Sequence, residues 1–147
     1  VHVTPSACIS SIPSLPRVGL SFVLDSAFYR IKYFGRGPHE NYVDRKAGAQ
    51  IGSWSSSPSQ MGFDYIVPSE NGSRSDCKWV CFHSDDVGLM VSADLDYELF
   101  SFSALLHSAR DLHMASHTND LDPRLDGKDP VVVNIDHRLM GLGGDVR

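Results

Sequence analysis

An all-β sandwich with one short helix is the fold that this sequence predicts, and three observations predict it. About eight short apolar segments lie along the 147 residues, several of them with every second side chain apolar. Clusters of Gly, Pro, Asn, Asp and Ser separate these segments roughly every 8 to 12 residues. The sequence has neither an internal repeat nor the alternation of strands and helices that is typical of a parallel sheet.

The N-terminal part begins with a segment rich in Ser and Pro. Residues 1–16 have no apolar period, which predicts a linker or an extended arm, and residues 17–147 are predicted to form the sandwich. Apolar alternation predicts four strands in the first half, which are residues 17–24, 28–34, 47–54 and 63–67. Residues 55–60 are predicted to be a loop. Residues 69–76 contain Asn71-Gly72, a strong turn signal, and are predicted to be a turn.

The second half is predicted to contain four more strands, which are residues 77–83, 87–93, 99–105 and 131–138. The short polar stretch between the first two of them predicts a hairpin. Residues 108–117 are predicted to form the one helix, because Ser108 and Asp111 have the spacing of a capping box and Leu112 and Ala115 share a face. A glycine-rich loop ends the chain.

Alternation also predicts which side chains face the core. The apolar sets are Val18, Leu20, Phe22 and Leu24 in the first strand and Val131, Val133 and Ile135 in the last. Trp79 is predicted to be buried, on the strand face of Cys77 and Cys81. Four strand steps would separate these two cysteines by about 13 Å, which is too far for a disulfide. The three cysteines, including Cys8, are therefore predicted to be free thiols in a reducing compartment.

Charge and hydropathy exclude several classes of function. The net charge is -5 and the basic residues are scattered, so no nucleic acid is expected as a partner. No apolar run approaches the length of about 18 residues that spans a bilayer, so no membrane partner is expected. The sequence contains no phosphate-binding loop and no metalloprotease or serine-hydrolase motif. His113 and His117 could share a metal ion, but no third ligand is in register and no metal site is predicted.

Five segments of the sequence have the order and spacing of a known family. They are LPRVGLSFVL, YFGRGPHENYVDRKAGAQIG, VPSENGSRSD, FSFSALLHSARDLHMASHTNDL and VVVNIDHRLMGLGGD. Together they resemble the C-terminal β-sandwich of the β-galactosidases of glycoside hydrolase family 2. The resemblance runs from about Leu15 to Asp145, nearly the whole chain.

The resemblance implies a supersandwich of the galactose-mutarotase-like type, of which residues 17–147 would be only a part. It implies that the catalytic residues lie outside this chain, in a TIM barrel with two glutamates of a retaining mechanism. Mg2+ and Na+ would serve the full enzyme and would be bound mostly by other domains. The expected partners are the remaining domains including the barrel, β-galactosides and further copies of the enzyme. The expected compartment is the cytoplasm.

Residues 33–45, YFGRGPHENYVDR, form the stretch with the richest chemistry. In one interpretation Arg36, His39, Glu40 and Asn41 bond sugar hydroxyls while Tyr42 stacks on a sugar face. In the other, which we favour, the stretch is architectural and fixes one domain to another. Gly35 and Gly37 then supply unusual backbone angles, Pro38 fixes the turn, and the charged residues pair with each other or with nearby backbone. Those charged residues are Arg36, Glu40, Asp44 and Arg45.

Four residues outside this stretch are further candidates for sugar binding or interdomain contact. They are Glu70, Asn71, Asp136 and His137. Asp136 and His137 resemble an acid/base pair in sequence, but neighbours in a strand point to opposite faces.

Three functions compete at this point. The chain is a non-catalytic part of an enzyme that hydrolyses terminal non-reducing β-D-galactose residues, or a free-standing galactoside-binding module. A mutarotase-like sugar epimerase is the third, and it would need His39 with Glu40, or His137 with Asp136, to face one sugar. In the galactoside-binding module, exposed aromatics such as Tyr33, Tyr42 or Trp54 would hold the sugar.

Overall fold

The strands of the protein form two four-stranded antiparallel sheets that pack face to face. A computed structural model describes residues 15–94 and 98–141. The strands are β1 (Arg17–Leu24), β2 (Arg30–Gly37), β3 (Gln50–Ser56), β4 (Arg74–Cys77), β5 (Trp79–His83), β6 (Gly88–Ser92), β7 (Phe100–Leu105) and β8 (Val131–Leu139). One sheet has the order β1-β8-β7-β4 and the other has the order β3-β2-β5-β6. The predicted all-β sandwich is confirmed.

The core lies between the two sheets and is built from alternate residues of their central strands. One sheet contributes Ile31, Tyr33, Val80 and Phe82, and the other contributes Phe100, Phe102, Ala104, Val131 and Val133. The ring of Tyr33 meets Phe102 edge-on, with 5.1 Å between centroids. The predicted inward face of the last strand is confirmed. In the first strand Phe22 and Leu24 pack on the core, but Val18 and Leu20 are exposed, so the predicted inward face is confirmed only for the second half of β1. A register shift after Val18 takes that residue out of the alternation.

Two strand predictions are wrong, and both concern residues 63–77. Residues 63–67 form no strand, and Ile66 is 82% exposed. β4 instead lies inside the predicted turn, at Arg74–Cys77. Three of its four side chains are polar, and Arg74 and Ser75 are buried by long-range hydrogen bonds, so an apolar pattern gives no sign of it.

The predicted strand at residues 77–83 is divided between the two sheets. Cys77 ends β4 in one sheet, whereas Trp79 begins β5 in the other. Because Val80 and Phe82 face the core, Trp79 lies on the opposite face and is half-buried, so its predicted burial is wrong. Cys77 and Cys81 are free thiols, as predicted, although they do not share one strand.

Two short helices and two 3-10 turns complete the described residues. The helix α1 (Pro58–Met61) lies in the predicted loop and has Pro at its first turn. The predicted helix is confirmed as α2 (Ala109–Met114), and Ser108 and Asp111 form its capping box. The chain leaves the helix at Ala115, so His113 and His117 do not share a helix face. The 3-10 turns are Ser26–Phe28 and Thr118–Asp120.

Some predictions concern residues that the structure does not describe. The predicted arm of residues 1–16 lies almost wholly outside the described residues, and so does Cys8. The same holds for residues 142–147 of the glycine-rich loop. Among the helices of residues 15–94 and 98–141, none is long and apolar enough to span a bilayer.

Candidate functional site

The stretch of residues 33–45 begins in β2 and ends in a tight turn. β2 continues to Gly37, and a cis peptide bond joins Gly37 to Pro38. Arg45 donates its backbone N–H to the carbonyl of Tyr42 at 3.0 Å, which closes the turn. We refer to residues 38–46 as the motif loop.

The glycines of β2 are needed for space and not for an unusual backbone angle. Neither Gly35 nor Gly37 has a positive φ. A Cβ atom at position 35 would collide with Cys77, and one at position 37 would collide with the side chains of Tyr33 and Trp54. The predicted reason for these two glycines is therefore wrong.

Asn41 is buried and holds the motif loop to β4. Its Nδ2 donates to the carbonyls of Arg36 and His39, both at 3.1 Å. Its Oδ1 accepts from the backbone N–H of Ser75 at 2.9 Å and from the Ser75 hydroxyl at 2.5 Å. All the polar groups of this amide are engaged inside the protein.

Glu40 connects the motif loop to two neighbouring segments. One carboxylate oxygen accepts hydrogen bonds from Arg45 and from the hydroxyl of Tyr65, and the other accepts from the backbone N–H of Gly72 at 2.7 Å. Gly72 has φ +79°, an angle that glycine adopts at little cost. The carboxylate of Glu40 is thereby committed to structure.

Replacement of Glu40 by alanine is expected to lower the free energy of unfolding by about 2 kcal/mol, because hydrogen bonds to a charged group are worth roughly 1.5–3 kcal/mol. Urea titration followed by tryptophan fluorescence measures this change. Asp85→Ala is the matched control, because Asp85 pairs with Arg30 on an exposed surface where such pairs contribute little. Equal effects of the two substitutions would contradict the structural role of Glu40.

Arg36 anchors the other side of the motif loop. Its Nε donates to Asp76 at 2.5 Å, and one of its terminal nitrogens donates to the carbonyl of Ala49 at 2.9 Å. Lys46 donates to the same Asp76 at 2.9 Å. Burial alone would raise the pKa of Asp76, but these two cations outweigh it and hold the pKa below its ordinary value.

Glu70 and Asp136 share one cation, Arg17, at the base of the motif loop. A terminal nitrogen of Arg17 donates to Glu70 at 2.9 Å, and its Nε lies 3.0 Å from Asp136 Oδ1. The Asp136 side chain is 0% exposed, and within the described residues its oxygens accept no hydrogen bond of good geometry. Burial raises the pKa of Asp136 to about 6, with Arg17 opposing the shift and the charge of Glu70 adding to it. Burial also raises the pKa of Glu70, against the effect of Arg17.

Tyr42 lies close to the charged groups of Glu40, Arg45 and Glu70. Its side chain is buried, and the guanidinium of Arg45 lies 5.5 Å from its ring centroid. Burial raises the pKa of Tyr42, and the negative charges of Glu70 and Glu40 raise it further. Stacking of this ring on a sugar would require the loop to open.

The candidate residues other than Arg36, Glu40 and Glu70 divide into a buried set and an exposed set. The buried ones are Asn41, Tyr42, Asn71 and Asp136, and the exposed ones are His39, Asp44, Arg45 and His137. Neither histidine–carboxylate pair converges, because Glu40 and Asp136 turn inward beside exposed histidines. Contact of the exposed set with a sugar or with another domain stays a prediction.

The end of β8 approaches the motif loop. A Cβ atom at Gly141 would meet the carboxyl group of Asp44, so the residue that follows β8 lies directly against this side chain of the motif loop. Two segments far apart in sequence therefore meet at one end of the sandwich.

Four residues that organise this region were not predicted to do so. Arg17 and Asp76 were not singled out, Tyr65 was placed in a strand, and Arg74 was assigned to a turn. Arg74 is 1% exposed and donates to the carbonyls of Pro38 at 3.0 Å, Met61 at 3.2 Å and Gly72 at 3.1 Å. Such a residue is recognised only by its contacts with segments that are distant in sequence, and no local sequence pattern reveals these contacts.

Comparison with known proteins gives a consistent result over the whole chain. Residues 1–146 match the family model described as beta galactosidase small chain. A β-galactosidase of Vibrio cholerae is 38% identical over 136 residues, and one of Pseudoalteromonas haloplanktis is 37% identical over 136 residues. A third, of Alteromonas mediterranea, is 39% identical over 141 residues. Each alignment covers 92% of this chain but only 12% of the relative, so the chain spans about an eighth of the length of the curated relatives it matches.

Proposed function

We propose a function from one premise: this chain belongs to the β-galactosidase small-chain family. We infer that it is the non-catalytic C-terminal part of a β-galactosidase of glycoside hydrolase family 2. The complete enzyme would hydrolyse terminal non-reducing β-D-galactose residues, as in lactose. The sandwich would support the active site of a TIM barrel elsewhere in the polypeptide and complete the assembly of the domains.

The observation that carries this proposal is the meeting of the motif loop with the end of β8. Asn41, Glu40 and Arg36 fix the loop from inside, so its shape does not depend on a ligand. The loop still presents exposed side chains such as His39 and Val43 outward. A rigid surface of this kind suits contact with a neighbouring domain or with the wall of a pocket.

Mg2+ and Na+ are proposed for the complete enzyme and not for this part of it. The described residues contain no group of three or more His, Cys, Asp or Glu side chains that could hold a metal ion. The metals would be bound mostly by other domains, as the family resemblance implies. The free thiols Cys77 and Cys81 suit a reducing compartment, and the cytoplasm is the one we propose.

Removal of residues 17–147 from the native polypeptide is expected to abolish hydrolysis of a chromogenic β-galactoside. Addition of the same segment as a separate chain is expected to restore it, because the segment would supply only contacts and no catalytic group. The segment by itself is expected to hydrolyse nothing.

Two results would contradict the proposal. One is full kcat/KM in the truncated enzyme. The other is a native polypeptide of 16.2 kDa on an immunoblot against this chain, which would leave no room for a barrel. A native chain of that size that binds lactose would instead be a galactoside-binding module.

A further inference from the structure

An apolar patch lies beside the motif loop and is largely exposed in the structure of the described residues. It consists of Phe63, Ile66 and Val67, which are 60%, 82% and 59% exposed. Single exposed apolar side chains are ordinary, but three within five residues form a patch of the kind that marks an interaction site.

The backbone that carries this apolar patch is fixed by hydrogen bonds. Phe63 donates its N–H to the side chain of Asn71 at 3.4 Å, and Thr118 donates its N–H to the carbonyl of Ile66 at 3.3 Å. The Thr118 hydroxyl also donates to the carbonyl of Tyr65. The exposure of these side chains is therefore built into the fold and is not the result of a loose loop.

Tyr65 joins the apolar patch to the motif loop. Its hydroxyl donates to Glu40 and accepts from Arg45 at 3.0 Å. Its ring lies 4.7 Å from that of Phe63, centroid to centroid. The patch and the motif loop thus form one continuous and rigid surface.

A cleft of about 260 Å³ opens beside the apolar patch. Its lining includes the apolar side chains of Phe63, Leu105 and Leu112, together with polar side chains such as His107 and Arg124. A cleft with such walls can take an apolar side chain that projects from a partner surface.

We propose that the apolar patch and this cleft are the docking surface for another domain of the same polypeptide. The inference rests on the proposed function and adds a second contact to it, next to the motif loop. The chain spans only 12% of the length of its relatives, so in the proposed complete enzyme most of the polypeptide would lie outside it and would be available as the partner. The apolar patch itself favours a protein surface over a sugar, because Phe63, Ile66 and Val67 have no polar side-chain group that could bond sugar hydroxyls.

Hydroxyl-radical footprinting of the native polypeptide tests the proposal, with each oxidation rate normalised to the intrinsic reactivity of its side chain. We expect the oxidation rates of Phe63 and Ile66 to be several-fold lower than their exposure in the sandwich predicts. Val43, which is 55% exposed on the motif loop, reports separately on the proposed function. Protection of Val43 with full reactivity of Phe63 and Ile66 would overturn this inference and leave the proposed function intact. Full reactivity of all three side chains would overturn both.

Two other occupants have distinct signatures in the same experiment. Protection that disappears when the sample is diluted to monomers would assign the apolar patch to a second copy. Protection that appears only with added galactose or lactose would assign it to a sugar. Either result would overturn the proposal.

A pair of double variants in the full-length polypeptide gives an independent readout. The double variant with Phe63→Ser and Ile66→Ser is expected to increase the rate of proteolytic release of the sandwich several-fold, because the contact between the apolar patch and the other domain is weakened. Val87→Ser with Met90→Ser is the matched control, because these two apolar side chains are also well exposed, at 59% each, on the β5–β6 hairpin. Equal release rates from the two variants would contradict the proposal.

Discussion

Replacement of Arg74 by methionine is expected to lower the free energy of unfolding by about 3 kcal/mol, because hydrogen bonds to a charged group are worth roughly 1.5–3 kcal/mol and several buried acceptors would be left without a donor. The guanidinium is 1% exposed and donates to backbone carbonyls from three segments and to the hydroxyl of Tyr33 at 3.2 Å. Methionine has a similar length but no donor, so these acceptors would lose their partner where water does not reach them. Chemical denaturation followed by the fluorescence of Trp54 and Trp79 measures the change.

Arg74 has no carboxylate within 4 Å among the described residues, so its role differs from that of an ion pair. Arg74→Lys should give an intermediate loss, because an ammonium group has fewer donors and no planar fork. Arg110→Met is the matched control, since Arg110 is exposed on α2 and its loss should stay within about 0.5 kcal/mol. If Arg74→Met and Arg110→Met differ little in stability, the proposed network is wrong.

The central strands were predictable because their apolar alternation coincides with the interface between the two sheets. Val131 and Val133, like Phe100 and Phe102, repeat at the spacing of one strand face and are buried. Helix α2 was predictable for a different reason. Its capping box is a local interaction, so Ser108 and Asp111 contain the whole signal.

Other elements were not predictable, because what buries them lies far along the chain. Residues 63–67 have the composition of a strand, but they pair with no strand among the described residues, and all of their side chains except that of Tyr65 are exposed. β4 is polar and is buried by partners such as Asn41, which bonds Ser75 across 34 positions of sequence. A local sequence pattern shows neither whether a partner strand is present nor which distant residues form hydrogen bonds.

The candidate site shows the same division. The density of charges and glycines in residues 33–45 correctly marked a constrained segment. It did not reveal that Asn41 and Tyr42 turn inward, or that Gly35 and Gly37 are needed for close packing. It also did not reveal Arg17, whose two carboxylate partners come from distant segments.

The sharing of Arg17 by two carboxylates leads to a prediction about pH. The pKa of Asp136 is raised by burial to about 6 in the folded protein, against an ordinary value of 3.8. The folded state therefore holds this proton more tightly than the unfolded state. The stability that Asp136 contributes is fully present below about pH 4 and is lost as the pH rises through 6. A shift of about two units corresponds to about 3 kcal/mol, since one unit is about 1.4 kcal/mol.

Asp136→Asn isolates this effect, because asparagine resembles the protonated acid in shape and has no charge. Near pH 4 the two proteins should have similar free energies of unfolding, whereas at pH 8 the variant should be more stable by up to about 3 kcal/mol. Urea titrations between pH 4 and pH 8 measure the difference. The carboxylates with lowered pKa values, Asp76 and Asp111, act in the opposite direction and below pH 4. The pKa of Glu70 is also raised by burial, so Glu70 acts in the same direction as Asp136, and the comparison between the two proteins cancels the part of its effect that does not depend on Asp136. Exposed Asp64 is the control, and Asp64→Asn should leave the pH profile unchanged.

A difference between Asp136→Asn and the unchanged protein that stays constant from pH 4 to pH 8 would mean that Arg17 neutralises both carboxylates fully. Burial would then not set the titration of Asp136.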